Sequence, residues 1–108
     1  MRRGEIYYIV PPRAFGKQRP ALVIQAGLFL TDAPSVSFCL FTGSVQFINP
    51  VRIFVKPTKT NGLDQPSLIQ VDKIVTVEAH RIRNRIGFIT PAELARVDAA
   101  LKLWLGLT

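Results

Sequence analysis

Two strand-forming runs in the stretch PALVIQAGLFLTDAPSVSFCLF, residues 20–41, decide the fold class. Residues 20–25 and 35–41 are rich in the apolar and β-branched side chains that favour strands, and the turn-forming residues of TDAPS separate them. Short strands joined by a loop, without a helix between them, are typical of antiparallel neighbours. The stretch therefore predicts two strands of an antiparallel sheet, which are neighbours if the sheet is a meander.

Strand-forming runs of the same kind recur on both sides of this stretch, at residues 5–10, 51–56, 67–71 and 74–78. Loops rich in Pro, Gly, Asn and Asp separate them. The chain shows no alternation of strands with helices, which a parallel sheet would require. The sequence predicts a mainly β (α+β) fold built on a compact antiparallel sheet or barrel.

The last segment has helical periodicity instead. Thr90 can cap a helix that begins at Pro91, and Glu93 completes a capping box three residues after the cap. Gly106 can end the helix in the left-handed conformation. The apolar residues that recur at helical spacing are Leu94, Val97, Leu101, Trp104 and Leu105. We expect this stripe to pack on the barrel or on a second subunit.

Length and charge limit the kind of function. The 108 residues have room for one hydrophobic core, so a single domain over residues 1–108 is expected. Hydrophobic residues make up 48%, which is high for a small domain and favours a homodimer that covers some of them. The formal net charge of +7 makes a polyanion or an acidic protein the expected ligand.

The apolar runs and the single cysteine favour a cytoplasmic protein. The run near the start is too short for a signal peptide, and residues 21–30 are well short of the roughly 20 residues that span a bilayer. We therefore expect neither export nor a membrane partner. Cys39 fits a reducing compartment, where a buried cysteine is usually a small hydrophobe.

Several catalytic classes have no motif in the sequence. It contains no Gly-rich phosphate loop, no Cys or His cluster and no serine-nucleophile motif. The seven acidic residues are scattered, which disfavours two-metal nuclease chemistry, and His80 has no second ligand at metal-binding spacing. Neither a metal nor another cofactor is expected. The basic segment 80–85 is interpreted as a solvated edge, with phosphate binding as the alternative.

Basic and hydroxyl side chains collect at the predicted strand ends. Arg13 and Lys17 belong to the first loop, Arg19 begins the second strand and Thr42 ends the third. If these strands are antiparallel neighbours, the distance between Arg19 and Thr42 depends on the strand offset. Arginine can bind two phosphate oxygens at once, and a threonine hydroxyl adds a neutral donor. Together they could hold a phosphodiester.

RNA suits such a site because it carries its own nucleophile. The 2′-hydroxyl can attack the adjacent phosphate without a metal if the charge of the transition state is stabilised and the leaving oxygen is protonated. Electrostatic stabilisation often contributes more to catalysis than any other effect, so an arginine with few helpers is a credible site.

Six segments carry a resemblance to a known family. They are RRGEIYYI at 2–9, RPALVI at 19–24, FTG at 41–43, NGL with PSLIQVDKIVT at 61–76, RIG at 85–87 and VDAALKLWLGL at 97–107. In order and spacing they resemble the MazF/PemK endoribonuclease toxins of bacterial toxin–antitoxin systems. The resemblance spans nearly the whole chain.

The resemblance implies a homodimeric SH3-like antiparallel β-barrel with a C-terminal α-helix, of the MazF/Kid/CcdB type. It implies metal-independent cleavage of single-stranded RNA at short motifs, which leaves a 2′,3′-cyclic phosphate and a 5′-hydroxyl. By position, Arg19 matches the family's catalytic arginine and Thr42 its catalytic threonine. The resemblance implies that Arg19 either protonates the leaving group or stabilises the phosphorane. It also implies an acidic antitoxin protein whose disordered tail folds into the toxin's groove.

The sequence departs from the family pattern at two places that the resemblance assigns to the RNA-binding site. The first loop lacks the acid or hydroxyl that many members carry before the arginine, so the resemblance does not identify a general base. Asp72 and Lys73 stand where many members have an acid followed by Gln. The predicted RNA contacts are Arg13, Phe15, Lys17, Phe47, Asp72 and Lys73. The two phenylalanines could stack on bases, with burial against the barrel as the alternative.

Two other functions fit the same sequence. A CcdB-like gyrase poison shares the barrel and acts through its C-terminal helix, where residues 103–108 could form an exposed contact. A non-catalytic RNA-binding barrel would bind single strands with salt-dependent affinity and cut nothing. The pairing of Arg19 with Thr42 favours the nuclease, because a gyrase poison needs neither residue.

Overall fold

The structure, a computed structural model, describes residues 1–14, 16–46 and 49–107. Within these ranges six strands form one antiparallel sheet in the order β4, β5, β3, β2, β1, β6. The strands are β1 Glu5–Ile9, β2 Arg19–Val23, β3 Ser35–Thr42, β4 Arg52–Val55, β5 Ser67–Glu78 and β6 Ile82–Phe88, and the helix is α1 Pro91–Leu105. Short 3₁₀ turns span Gly27–Phe29 and Ala79–Arg81. The predicted mainly β class with a C-terminal helix is confirmed.

The two strands of the opening stretch pair with each other, as they do in a meander. Ala21 of β2 lies opposite Leu40 of β3, and Val23 lies opposite Phe38. The two strands predicted over residues 67–78 form one strand of 12 residues, β5. Its register with β3 shifts between Cys39 and Leu40, so that residues 71–73 have no partner on β3. Asp72 and Lys73, the polar residues that separate the two predicted strands, lie in this bulge.

The basic segment 80–85 runs into a strand that the sequence did not predict. β6 pairs with β1 and lies at the edge of the sheet, as the edge interpretation expected. Arg83, Asn84 and Arg85 are exposed on it. The strand was not predicted because its charged side chains interrupt the apolar pattern that marks a strand. Charged side chains suit an edge strand because they discourage pairing with other chains.

Apolar side chains are buried on both faces of the sheet, because side chains alternate along each strand. Leu22 belongs to a cluster that also contains Val97 and Ala100 of α1, so the helix covers that face. Its neighbours Ala21 and Val23 belong to a second cluster on the opposite face. Leu30 and Ala33, in the loop between β2 and β3, pack against this second cluster.

The helix begins and ends as predicted. The Glu93 backbone N–H donates to Thr90 Oγ1 at 3.1 Å, and the Thr90 N–H donates to Glu93 Oε1 at 2.8 Å. Gly106 has a φ of 69° and caps the other end. The apolar stripe packs on the sheet through Val97, whereas Trp104 is 52% exposed at the end of the helix. Within the described ranges, no helix is long and apolar enough to cross a bilayer.

Candidate active site

Arg19 and Thr42 lie on neighbouring strands at the same edge of one cavity. Ala21 pairs with Leu40, and Arg19 and Thr42 each lie two residues beyond this pair, at the same end of the two strands. Adjacent strands are about 4.8 Å apart. Both residues line a cavity of about 320 Å³. The strand offset, which the sequence leaves open, therefore brings the two predicted catalytic residues together.

The cavity combines positive charge with neutral donors. Its charged lining residues are Lys17, Arg19 and Asp64, so cations outnumber carboxylates by two to one. The neutral lining includes Tyr8, Thr42, Gly43, Gln65 and Ser67. This mixture suits an anionic ligand that also carries hydroxyl groups.

The two central side chains have hydrogen-bonding capacity to spare. Thr42 Oγ1 accepts a hydrogen bond from the Ser44 backbone N–H at 3.2 Å, which leaves the hydroxyl hydrogen to donate elsewhere. Arg19 is half-buried, and its guanidinium forms no hydrogen bond or ion pair with the residues that the structure describes. An anion in the cavity could therefore receive donors from both.

The β4–β5 loop, residues 56–66, forms one wall of the cavity and contributes Asp64 and Gln65 to its lining. Asn61 is buried and holds this loop from within. Its Oδ1 accepts from the Thr58 and Leu63 backbone N–H groups at 2.9 and 3.0 Å, and its Nδ2 donates to the Lys56 carbonyl at 2.8 Å. The bonds to Asn61 fix the backbone that leads to Asp64.

The same loop also packs tightly on β6. A Cβ atom on Gly87 would lie 2.2 Å from the Thr60 carbonyl oxygen, and one on Gly62 would lie 2.1 Å from the Ile86 carbonyl oxygen. Gly62 also has a φ of +67°, which side-chain-bearing residues rarely adopt. Glycine at both positions lets the two backbones touch, and this contact sets the position of the cavity wall.

A second cavity of about 460 Å³ adjoins the first, and Arg19 lines both. Arg13 lines the second cavity and has a φ of 65°, in the left-handed region. Lys17 lines the first. Each of the two basic residues predicted in the first loop thus shares a cavity with Arg19.

Asp72 and Lys73, two further predicted RNA contacts, lie outside both cavities. Asp72 is bound by Arg52, whose Nε and Nη2 donate to the two carboxylate oxygens at 3.1 and 3.0 Å. These bonds hold the pKa of Asp72 below its ordinary value. Asp72 and the exposed Lys73 line neither of the two cavities. Phe15 and Phe47 fall outside the described residues, and their role stays a prediction.

Cys39 and the metal-ligating residue types are the other groups of the described chain that could carry chemistry. Cys39 is fully buried, and this burial raises the pKa of its thiol to about 12, so it remains an inert hydrophobe as predicted. In residues 1–14, 16–46 and 49–107, no three His, Cys, Asp or Glu side chains form a group that could hold a metal ion.

Asp64 and Gln65 are cavity residues that the sequence did not single out. They sit in the segment NGLDQPS, whose Gly and Pro predict a loop but not where it folds. The packing of this loop on β6 and the contact of Gln65 with Gly43 place them beside Arg19 and Thr42 in the cavity. No local pattern could have identified them.

Comparisons with known proteins identify the family of this chain. Residues 2–105 match the model of a family described as PemK-like, MazF-like toxin of type II toxin–antitoxin system. The chain belongs to this family. It is 37% identical over 108 residues to the probable endoribonuclease MazF of Mycolicibacterium smegmatis, covering 99% of this chain and 98% of that protein. It is 31% identical over 116 residues to endoribonuclease MazF9 of Mycobacterium tuberculosis, with coverages of 99% and 98%.

The fold of the family is seen in solved structures. An endoribonuclease in complex with its cognate antitoxin from a mycobacterial species superimposes with a TM-score of 0.83 at 20% identity. The superposition covers 100% of this chain and 97% of the other. The SH3-like, barrel-like fold that the resemblance implied is therefore confirmed for this PemK/MazF-family chain.

Proposed function

We propose that this PemK/MazF-family chain is a metal-independent endoribonuclease that cleaves single-stranded RNA at short sequence motifs and acts as the toxin of a toxin–antitoxin pair. The observation that carries the proposal is the position of Arg19 and Thr42 on adjacent strands in one cavity. Relatives named as endoribonucleases support the reaction class.

The scissile phosphate is placed between Arg19 and Thr42. The guanidinium and the Thr42 hydroxyl donate to the two non-bridging phosphate oxygens, which stabilises the charge of the phosphorane. The 2′-oxygen of the preceding ribose forms a bond to phosphorus as the bond to the 5′-oxygen breaks. The products are a 2′,3′-cyclic phosphate and a 5′-hydroxyl.

The flanking nucleotides are placed along the basic residues on either side of Arg19. Lys17 and Arg13 line the two cavities that meet at Arg19, and each can neutralise a backbone phosphate. Phe15 and Phe47 are proposed to stack on bases. Lys73 is proposed as a more distant phosphate contact on the exposed surface of the bulge in β5.

Two protein partners belong to the proposal. The net charge of +7 suits an acidic antitoxin that covers the same cavity, and a mycobacterial endoribonuclease with this fold was solved with its cognate antitoxin. A homodimer would cover part of the apolar surface at the end of α1, where Leu103, Trp104, Leu105 and Leu107 are exposed. We place the protein in the cytoplasm, where the RNA substrate is.

The proposal is tested with purified protein and a long single-stranded RNA in EDTA, with the new 5′-hydroxyl ends mapped by sequencing. We expect discrete ends with the unmutated protein and a loss of about 10²-fold or more in rate for Arg19→Ala and Thr42→Val. Arg96→Ala, which removes an equal charge on the exposed face of α1, serves as the control and should cleave normally.

Other results would contradict the enzyme. Salt-dependent RNA binding without cleavage would favour the alternative function, a non-catalytic RNA-binding barrel. If Arg19→Ala cleaves at the rate of the unmutated protein, Arg19 is not catalytic and the active site lies on another part of the surface. If the protein neither binds nor cuts RNA, inhibition of gyrase supercoiling is the assay that tests the CcdB-like alternative.

A further inference from the structure

We propose that Asp64 is the general base of this site and accepts the proton of the attacking 2′-hydroxyl. The inference rests on the proposed function, since it assigns a role within the same RNA-cleavage reaction. A 2′-hydroxyl is a weak nucleophile until a positioned group takes its proton. The first loop offers neither an acid nor a histidine for this task.

The carboxylate that the family pattern would suggest is engaged elsewhere. Asp72 accepts two hydrogen bonds from Arg52 and lines neither cavity next to Arg19. To act as a base it would have to break this ion pair and cross from the bulge of β5. The structure therefore leaves the role of base to another residue.

Asp64 has the position that the role requires. Among the described residues that line the cavity, it is the only carboxylate, and it shares the cavity with Arg19 and Thr42. It forms none of the ion pairs found among residues 1–14, 16–46 and 49–107. Its side chain is exposed to the cavity and to solvent, so its oxygens can accept a proton from a bound ribose.

The backbone on both sides of Asp64 is anchored. On one side the Leu63 N–H donates to Asn61 Oδ1 at 3.0 Å, and the Leu63 side chain is buried in the core. On the other side Ser67 Oγ donates to the Gln65 carbonyl at 3.0 Å. A general base works only when it is held within reach of the proton, and these contacts hold Asp64 at the cavity wall.

The proposed step balances its protons. The Asp64 carboxylate takes the 2′-hydroxyl proton as the 2′-oxygen bonds to phosphorus, while Arg19 and Thr42 donate to the non-bridging oxygens. The bond from phosphorus to the 5′-oxygen then breaks, and that oxygen takes a proton from a water molecule. The proton held on Asp64 neutralises the resulting hydroxide, which regenerates both the water and the carboxylate.

The decisive variants are Asp64→Asn, which removes the base but keeps the shape, and Asp64→Glu, which keeps a carboxylate. The substrate is a short RNA oligonucleotide built around a cleavage site mapped in the long RNA. Asp32→Asn is the matched control, because it makes the same chemical change in the exposed loop between β2 and β3. Single-turnover rate, RNA affinity and the dependence of rate on pH are measured for each protein.

We expect Asp64→Asn to lower the single-turnover rate by about 10²- to 10⁴-fold and Asp64→Glu to recover part of it. RNA affinity should stay equal or rise, because a negative charge has left a basic cavity. The groups that face Asp64 across the cavity are Lys17, Arg19 and Tyr8. In the unmutated protein and in Asp32→Asn the rate should fall on the acid side as the base is protonated, and Asp64→Asn should lose this acid limb.

The outcomes separate this inference from the proposed function. If the unmutated protein cleaves and Asp64→Asn cleaves equally fast with the same acid limb, the role of Asp64 is refuted while the endoribonuclease stands. If Asp64→Asn loses RNA affinity in step with its rate, Asp64 binds rather than acts as a base, and the inference is also wrong. If the unmutated protein does not cleave, the proposed function fails first.

Discussion

Arg52 on β4 binds Asp72 on β5 through two parallel hydrogen bonds, with Nε 3.1 Å from Oδ1 and Nη2 3.0 Å from Oδ2. The two side chains are only 16% and 19% exposed. The pair ties the outer strand β4 to the bulge of β5, where the ladder with β3 is interrupted. Asp72, which is also a predicted RNA contact, therefore ties two strands of the sheet together.

Asp72→Asn should lower the free energy of unfolding by about 1–2 kcal/mol at neutral pH. Because Arg52 lowers the pKa of Asp72, the stabilisation is complete above the ordinary aspartate pKa of about 4 and is lost as the pH falls through the lowered value. Urea unfolding at neutral and acid pH should show the gap between the two proteins closing in acid. A gap that is absent, or that stays constant with pH, would refute the role of the pair.

Cys39 should resist alkylation in the folded protein. Burial raises the pKa of its thiol to about 12, and the thiolate is the reactive form. We expect iodoacetamide to label the native protein very slowly at neutral pH and the urea-unfolded protein readily, as followed by mass spectrometry. Rapid labelling under native conditions would show that the strands around Cys39 open far more often than this packing implies.

Gly87→Ala should destabilise the protein by about 1–3 kcal/mol, because the added Cβ meets the Thr60 backbone and forces the β4–β5 loop away from β6. RNA cleavage should also weaken, since this loop carries Asp64. Gly27→Ala is the matched control, with nothing within 4 Å of the added atom, and should change the stability by less than about 0.5 kcal/mol. Equal effects of the two changes on unfolding would contradict the close contact.

Thr90→Ala should lower the free energy of unfolding by about 1 kcal/mol, because it leaves the Glu93 backbone N–H without its acceptor at the start of α1. Thr90→Ser keeps the hydroxyl and should retain most of the stability. Chemical unfolding of the three proteins gives the comparison. If the serine variant loses as much as the alanine variant, the hydroxyl is not what stabilises the helix.

Local patterns predicted most of the fold. The helix from Pro91 was predictable because its cap, its period and its final glycine all lie within a short segment. The pairing of β2 with β3 was expected for a meander, because they are consecutive apolar runs of the chain. β6 was missed because Arg83, Asn84 and Arg85 mask a strand whose pairing with β1 joins residues far apart in sequence.

The candidate site was predictable only in part, for the same reason. Arg19 and Thr42 could be named from their places at strand ends and from the family resemblance. Their convergence depends on strand register, which the residues alone do not give. The loop that carries Asp64 is positioned in part by the backbone contact between Gly87 and Thr60. Asp72 is held by its ion pair with Arg52 and lies outside the cavity. Both effects are long-range, so no motif reveals them.

The most direct test of the proposed site uses two RNA oligonucleotides of the same sequence, built around a mapped cleavage site. One is entirely RNA, and the other lacks a single 2′-hydroxyl, on the nucleotide before the scissile phosphate. In EDTA, we predict that the protein binds both equally, cuts the first to a cyclic phosphate and a 5′-hydroxyl, and leaves the second intact. Cleavage of the second oligonucleotide at the same bond would contradict the proposed mechanism, because it would require a nucleophile other than the substrate's own hydroxyl.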